Sequence, residues 1–283
     1  MSRANILDVI ADLRARGAEF CVVTVVRTAN ATSAKAGAKA VITAEGALHG
    51  FVGGGCVTGA ARRAAAEALA AGAARLIRVR PRDEVAANVD ADGVELHRSS
   101  CPSGGTVELF IEPVSPPPRL AVCGASPIAA SLVRLGSALG YRTITAALPE
   151  DHAEIAGADR VLAGFDLADV NLRPSDAVIV ATQGRRDSEA LKAALASPAG
   201  YVGMVGSRRK IAALKAQLAE QGVAPQTAAR LHGPAGLAIG AIGPDEIALS
   251  ILAEIIQTRR QTVRAGAGSG EIEGGGRIGR IPG

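Results

Sequence analysis

Apolar and polar positions follow two different rhythms along this 283-residue chain. In the first stretch, short apolar runs end in glycine turns and predict strands at 20–27, 39–44, 47–52, 75–80, 93–98 and 105–112. Ala44-Glu45-Gly46-Ala47, between two of these runs, suits a hairpin turn. One Ala-rich helix, around 57–72, interrupts the strands, and residues 1–10 read as an amphipathic helix because charges punctuate the first apolar stretch. This pattern predicts an α+β domain over residues 1–115.

Pro116-Pro117-Pro118 marks a boundary, since three prolines join neither a helix nor a central strand and form a stiff extended spacer. Beyond it, strands expected at 119–123, 142–147, 159–163, 176–181 and 201–205 alternate with helices at 127–139, 186–197 and 207–221. Such alternation predicts a parallel sheet covered on both faces, a Rossmann-like domain over residues 119–264. The last helix opens at Gly243-Pro244-Asp245-Glu246, with proline early and acids in the first turn, and is expected to run to about residue 260. Ile247, Ile251, Leu252, Ile255 and Ile256 share one of its faces, which is expected in the core and is long enough to serve a homodimer seam as well. Residues 265–283 are Gly, Ala, Ser and scattered charges and predict a disordered tail. The fold class expected is α/β: an N-terminal α+β domain followed by a Rossmann-like parallel-sheet domain.

Composition narrows the function. Hydrophobic residues make up 48% but aromatics only 2%, with no Trp, so the cores must be built from Ala, Val, Leu and Ile. A formal charge of +4 is small for nucleic-acid binding, and the aromatic surface that stacks bases is nearly absent. No apolar run reaches the length of a membrane span. Irregularly spaced cysteines behind an N-terminus that does not read as a signal peptide imply reduced thiols and a cytoplasmic protein.

Two of the four cysteines stand in glycine turns, Gly53-Gly54-Gly55-Cys56 and Cys101-Pro102-Ser103-Gly104-Gly105, where backbone can approach a ligand closely. Cys21 and Cys123 lie in apolar runs and are expected as buried small hydrophobes. Cys56, at the start of a predicted helix and near Arg62 and Arg63, is expected to favour thiolate, which suits a sulfur carrier, a nucleophile or a soft-metal ligand. A zinc set of His49, Cys56, His97 and Cys101 has spacings that match no standard zinc pattern. His152 and His232 are isolated and expected to be structural.

In the second half, the run Leu120 to Ala129 gives a strand, the turn Gly124-Ala125-Ser126 and a helix start, the opening of a Rossmann unit. Two departures weigh against NAD as a redox cofactor. Ser126 stands where the fingerprint has glycine, and the second strand ends in Ala146 and Ala147, the nearest acids being Glu150 and Asp151. The strand from Tyr201 runs into Gly206-Ser207-Arg208-Arg209-Lys210, where free amides at a helix start and bidentate arginines suit an anion. Cations there oppose the helix dipole and need a compensating reason. Thr182-Gln183-Gly184-Arg185-Arg186-Asp187 adds polar and basic groups at a carboxyl edge, where ligands of open α/β sheets lie, so both loops are expected to face one phosphate-bearing ligand.

With these segments in view, the chain resembles the XdhC/CoxI family of xanthine dehydrogenase accessory factors. Gly54-Gly55-Cys56 matches its Gly-Gly-Cys turn, and Cys101 through Glu112-Pro113 its second cysteine turn and following strand. Tyr201 to Lys210, Pro234 to Gly240 and Pro244 to Ala248 match its later motifs in order. Cys101-Pro102-Ser103-Gly104-Gly105 and Ala181-Thr182-Gln183-Gly184-Arg185 look most like the CoxF-type branch associated with carbon monoxide dehydrogenase maturation. The resemblance implies a maturation factor for a molybdenum hydroxylase, of carbon monoxide dehydrogenase or xanthine dehydrogenase type. Such a factor binds molybdopterin or molybdopterin cytosine dinucleotide with its molybdenum, supports sulfuration and delivers the cofactor to the apo-enzyme.

Its implied partners are that apo molybdenum hydroxylase and a cysteine desulfurase. Cys56 and Cys101 are then the catalytic or metal-ligating residues. Gly54, Gly55, Gly124, Ser126, Gln183, Gly184, Arg185, Gly206, Ser207, Arg208 and Arg209 are the expected cofactor-binding ones. Thr58 departs from the family, which carries an acid there, and with Ser126 and the missing strand-end acid it weighs against nucleotide-driven chemistry more than against cofactor carriage. The expected role is that of a cofactor-carrying chaperone more than a turnover enzyme. Two alternatives stand beside it: an NAD(P)-binding oxidoreductase, and an assembly protein that touches the apo-enzyme without holding cofactor.

Overall fold

The computed structural model describes residues 5–30, 32–85, 87–100, 104–154 and 157–266. The chain divides into two compact units, one built from the chain up to Pro116 and the other from Pro117 to Thr262. In the first, α1 (Ile6–Ala15) precedes β1 (Phe20–Ala29), β2 (Lys39–Thr43) and β3 (Leu48–Gly50). Then come α2 (Gly55–Ala71), β4 (Arg75–Pro81), β5 (Glu95–Ser99) and β6 (Thr106–Val114). The strands form one mixed sheet in the order β3-β2-β1-β6-β4-β5. Ile42 faces Leu48 across the β2–β3 ladder, so Ala44 to Ala47 is the hairpin turn that the sequence predicts.

This sheet is covered by a helix on each face. Apolar positions of α1, Val9, Ile10 and Leu13 among them, pack on Phe20 and Val41. On the other face, Ala60, Ala61, Ala64, Ala65 and Ala68 of α2 lie on Cys21, Val23, Ile77, Leu109 and Ile111. An alanine face costs little side-chain entropy and lets the helix sit close to the strands, which is how a chain poor in aromatics closes its core. Gly72, in the left-handed conformation at φ 60°, ends α2.

The second unit contains β7 (Arg119–Cys123), α3 (Pro127–Ala138), β8 (Arg142–Ala147), β9 (Arg160–Ala163), β10 (Ala177–Val180) and α4 (Asp187–Ala196). It continues with β11 (Tyr201–Met204), α5 (Arg208–Glu220), α6 (Pro225–Ala229), β12 (Leu231–His232) and α7 (Pro244–Gly266). All its strand pairs are parallel, in the order β12-β11-β10-β7-β8-β9, so the winding reverses between β7 and β10. This is the expected Rossmann-like sheet. The residues of β10 and β11 are buried throughout, because α3 and α7 cover one face and α4 and α5 the other. Tyr141 and Tyr201 both lie in the layer under α3 and α7.

Ile251, Leu252 and Ile255 of α7 are in that core, as their spacing predicts. The acids of its first turn have defined tasks. Glu246 accepts from the amides of Ile242 (2.9 Å) and Gly243 (3.3 Å), and Asp245 accepts from the Ser131 hydroxyl (2.5 Å) and Arg134 (2.6 Å) on α3. The helix continues past the expected residue 260 to Gly266, since no breaker interrupts it. The tail predicted over 265–283 therefore begins inside α7, and residues 267–283 lie outside the described ones. The short α6 and β12 were not expected, being too brief to leave a periodic signal. No helix among the described residues is long and apolar enough to cross a membrane.

The alanine face of α2 gives a direct test. Ala64→Leu should overpack it and lower stability by about 1–3 kcal/mol, whereas Ala66→Leu on the exposed side should change it by less than about 0.5 kcal/mol. Calorimetric unfolding of the two variants measures the difference.

Candidate functional site

The thiol of the first unit is positioned by three glycines with different duties. Gly53 has φ 139°, a strained conformation for an L side chain, and a Cβ there would crowd Val57 at 3.0 Å from its Cβ. Gly54 and Gly55 face open space, and Gly54 starts α2 without a side-chain cap. Cys56 sits inside the first turn of α2, where sequence reading places it just before the helix. The turn holds no acid, so the positive end of the helix dipole is uncompensated there. Thr58 donates its hydroxyl to the Gly53 carbonyl at 3.3 Å and tightens the glycine turn.

Cys56 is half-buried, and its Sγ lies 3.8 Å from Oγ of Ser100. Ser100 directly precedes Cys101, which with residues 102 and 103 is outside the described residues. Arg62 and Arg63 are exposed on the second turn, and the Arg63 guanidinium folds back along the helix toward Gly59. Cys21 and Cys123 are fully buried, and burial pushes their thiols up to about 11 and about 12, as befits small hydrophobes.

The zinc set fails on topology. His49 is on β3 and His97 on β5, the two opposite edges of a six-stranded sheet whose neighbouring strands are about 4.8 Å apart. His97 is also engaged, with Nε2 2.8 Å from Glu95 Oε1. Among the described residues no group of three or more His, Cys, Asp or Glu is placed to hold a metal ion. His152 and His232 have local partners: His152 Nε2 meets the Ala147 carbonyl at 3.1 Å, and His232 stacks on Tyr201 with ring centroids 4.4 Å apart. Glu254 accepts from the Tyr201 hydroxyl (2.5 Å) and the Gly236 amide (2.6 Å), anchoring the loop after β12 to α7.

The second unit gathers most of the other candidates at the carboxyl edge of its sheet. Gly124 has φ 116°, and a Cβ there would come within 2.6 Å of the Ala181 carbonyl oxygen. Ser126 is buried and caps α3, its Oγ accepting from the Ala129 amide at 3.1 Å. The departure from glycine thus has a structural purpose. In the next loop Gln183, Gly184 and Arg186 all adopt positive φ, an unusual density of left-handed backbone.

Asp187 holds that loop. Its buried carboxylate accepts from the Thr182 hydroxyl, the Gly184 amide (3.2 Å) and the Lys210 ammonium (2.6 Å). Burial pushes the Asp187 carboxyl up, but the hydrogen bonds from Lys210 and Thr182, the Lys210 charge and the Gly184 amide outweigh it and hold the group below the usual range. Lys210 stands at the start of α5 because Asp187 requires it, which supplies the compensation that a cation there needs. Ser207 caps α5 through the Lys210 amide (3.3 Å), following the turn at Gly206. Arg208 and Arg209 are exposed and make no ion pair among the described residues.

A narrow crevice opens at the reversal of strand order, lined by Gly124, Ser126, Asp151, Thr182, Gln183 and Arg185. Arg185 is not a bare cation: it pairs with Asp151 and, at 3.3 Å, with Glu150. The acid absent from the end of β8 therefore reaches the crevice from the 3₁₀ turn Pro149–Glu154. Sequence reading named Glu150 and Asp151 only as the nearest acids beyond the strand end and gave neither a place in the crevice. It missed Asp187 because a first-turn acid reads as an ordinary helix start.

Residues 120–255 match the family model described as the XdhC Rossmann domain, and residues 13–80 match the model described as the XdhC and CoxI family. The chain is 30% identical over 269 residues to the uncharacterized protein YqeB of Escherichia coli K12, covering 90% of this chain and 46% of that protein. It is 31% identical over 163 residues to a protein of Bacillus subtilis 168 described as a probable xanthine dehydrogenase component, covering 55% and 47%. The chain spans about half the length of these curated relatives. A crystal structure described as a xanthine dehydrogenase from Bacillus halodurans is 21% identical with a TM-score of 0.44, over 91% of this chain and 96% of that one, a likeness too slight to add to the fold described above.

The Asp187 clamp has a pH signature. A carboxyl held below its ordinary value contributes stability that is full above about pH 4 and is lost as pH falls through the folded value. Asp187→Asn should cost about 1.5–3 kcal/mol at pH 7, and the gap to wild type should narrow below about pH 4. Denaturant unfolding across pH reads both effects.

Proposed function

The chain belongs to the XdhC/CoxI family, and from that premise we propose that it is a maturation factor for a xanthine dehydrogenase-type molybdenum hydroxylase. It holds a molybdopterin-type cofactor, supports its sulfuration and passes it to the apo-enzyme. Its partners are that client and a cysteine desulfurase as sulfur donor, and a carbon monoxide dehydrogenase-type client agrees with the residues at 101–105 and 181–185. The observation that carries the reading is the placement of Cys56, half-buried in an uncapped first turn with its sulfur beside Ser100.

The donor set fits such a cofactor. Thiolate is a soft ligand of the kind that molybdenum takes, and Cys56 and Cys101 are the residues that would hold the metal end. A Cβ on Gly54 or Gly55 would meet no atom of the described residues within 4 Å, so these two positions add no bulk beside Cys56. In the second unit, taken by itself, the exposed guanidinium groups of Arg208 and Arg209 beside the turn Gly206-Ser207 suit an anionic group, with Gln183 and Gly184 on the adjoining loop. When bound, the cofactor supplies the molybdenum centre that the client hydroxylase uses. The task of this chain is to bind it, shield it and release it.

Loading the protein with cofactor, then measuring molybdenum and pterin, tests the reading. Cys56→Ala and Cys101→Ala should each lower retained molybdenum about tenfold or more and abolish activation of the apo-hydroxylase. Replacing Arg208 and Arg209 with Gln should reduce pterin retention and make it less sensitive to salt. Unchanged retention and client activation in both cysteine variants would overturn the proposal.

A further inference from the structure

We infer that a second copy of this chain packs against the outer face of α7, antiparallel and centred on Ala253, to form a two-fold homodimer. This goes beyond the cofactor reading and does not rest on it. The face that the sequence offers for such a seam is already occupied, since Ile247, Ile251, Leu252 and Ile255 all pack in the layer beneath α3 and α7.

A second apolar line runs along the helix. Leu249, Ala253 and Ile256 follow at steps of four and three, which keeps them on one side of it. Leu249 is 54% exposed, Ala253 and Ile256 are partly exposed, and none of the three belongs to the cores of the second unit. A surface helix ordinarily carries one apolar stripe, turned to its own core, so this line is left without a task inside the chain.

The loop leading into α7 enlarges the surface. No side chain from Gly233 to Pro244 is polar, yet Ile239 is 56% and Ile242 87% exposed. The loop is pinned along its length: Gly236 to Glu254, the Leu237 amide to the Ser250 carbonyl at 3.2 Å, and Ile242 to Glu246. Its apolar surface is therefore formed in advance and costs little ordering on association. Each partner of a stable dimer buries about 800 Å². A helix seam of four turns, about 21 Å long, covers less than that by itself, and Ile239 and Ile242 widen it.

The charges on α7 select the occupant. Asp245 is taken by Ser131 and Arg134, Glu254 by Tyr201 and Gly236, and the Arg259 guanidinium lies 5.8 Å from the centroid of the Tyr141 ring. Arg260 is exposed without a partner among the described residues, and Glu246 uses only Oε2 for its two amides. These two stand seven residues to either side of Ala253, in line with the apolar stripe. An antiparallel copy centred there sets Glu246 against Arg260 at both ends, with Leu249 facing Ile256 between them. Ala253, at the axis, has only a methyl group and lets the two helices approach closely. A patch that complements itself under a two-fold rotation suits an isologous contact, and a partner of unrelated sequence needs no such symmetry.

Sedimentation velocity of the full chain tests this, with a dimer expected at micromolar concentration. Leu249→Glu should weaken the dimer about a hundredfold or more, and Arg260→Glu, which creates two like-charge contacts, about tenfold or more. Both positions are exposed, so the circular dichroism spectra should match wild type. Under mild oxidation Ala253→Cys should cross-link two copies well above the wild-type level, whereas Lys192→Cys, on α4 across the sheet, should not. A monomeric wild-type protein, a dimer of unchanged affinity in both charge variants, or cross-linking no faster in Ala253→Cys than in Lys192→Cys overturns the inference. A monomer that binds the apo-hydroxylase one to one, and loses it on Leu249→Glu, also overturns it and assigns the face to the client.

Discussion

The second unit depends on how closely β7 and β10 approach as they leave the sheet. Their parallel ladder runs from Leu120 opposite Ala177 to Cys123 opposite Val180, and the Ala181 amide still reaches the Cys123 carbonyl at 2.8 Å. At the next step only a residue without a side chain can pass, because a Cβ on Gly124 would press on the Ala181 carbonyl. From there one chain turns into α3 and the other into α4, on opposite faces, and the crevice is the space between them. The loop after β10 has to fold back sharply, which accounts for its left-handed residues and for the buried carboxylate that ties it down.

Both candidate sites use the same economy of side chains. Around Cys56, Gly53 makes room for Val57 while Gly54 and Gly55 leave the start of α2 open. At the sheet edge, Gly124 brings backbone amides to the crevice floor. The charged groups are then divided between scaffold and surface: Lys210 is committed to Asp187 and Arg185 to Asp151 and Glu150, leaving Arg208 and Arg209 exposed. A count of basic residues in these loops overstates the positive charge offered to a ligand.

Most of the architecture was legible from local pattern. The central strands β7, β10 and β11 of the second unit are apolar runs because both faces are buried, and those of the first alternate, as Cys21, Val23 and Val25 facing α2 illustrate. Cys21 and Cys123 were recognisable as core by their apolar neighbours. What escaped depends on contacts distant in sequence. Nothing local to Asp151 says that it meets Arg185, thirty-four positions away, and nothing local to Lys210 names Asp187. His49 and His97 looked combinable only because sequence spacing carries no strand order. Two-residue strands such as β12 leave no rhythm to read.

The scarcity of aromatic residues that obliges α2 to pack through alanine also governs how the protein responds to light. The chain has two tyrosines and no tryptophan, and Tyr141 and Tyr201 both lie in the layer beneath α3 and α7. Near-ultraviolet absorbance, emission and circular dichroism in the tyrosine band therefore report on the second unit alone. The glycine turn around Cys56 is optically silent in that band. A tryptophan placed at exposed Phe51, beside the triple glycine, would give the first unit a signal of its own.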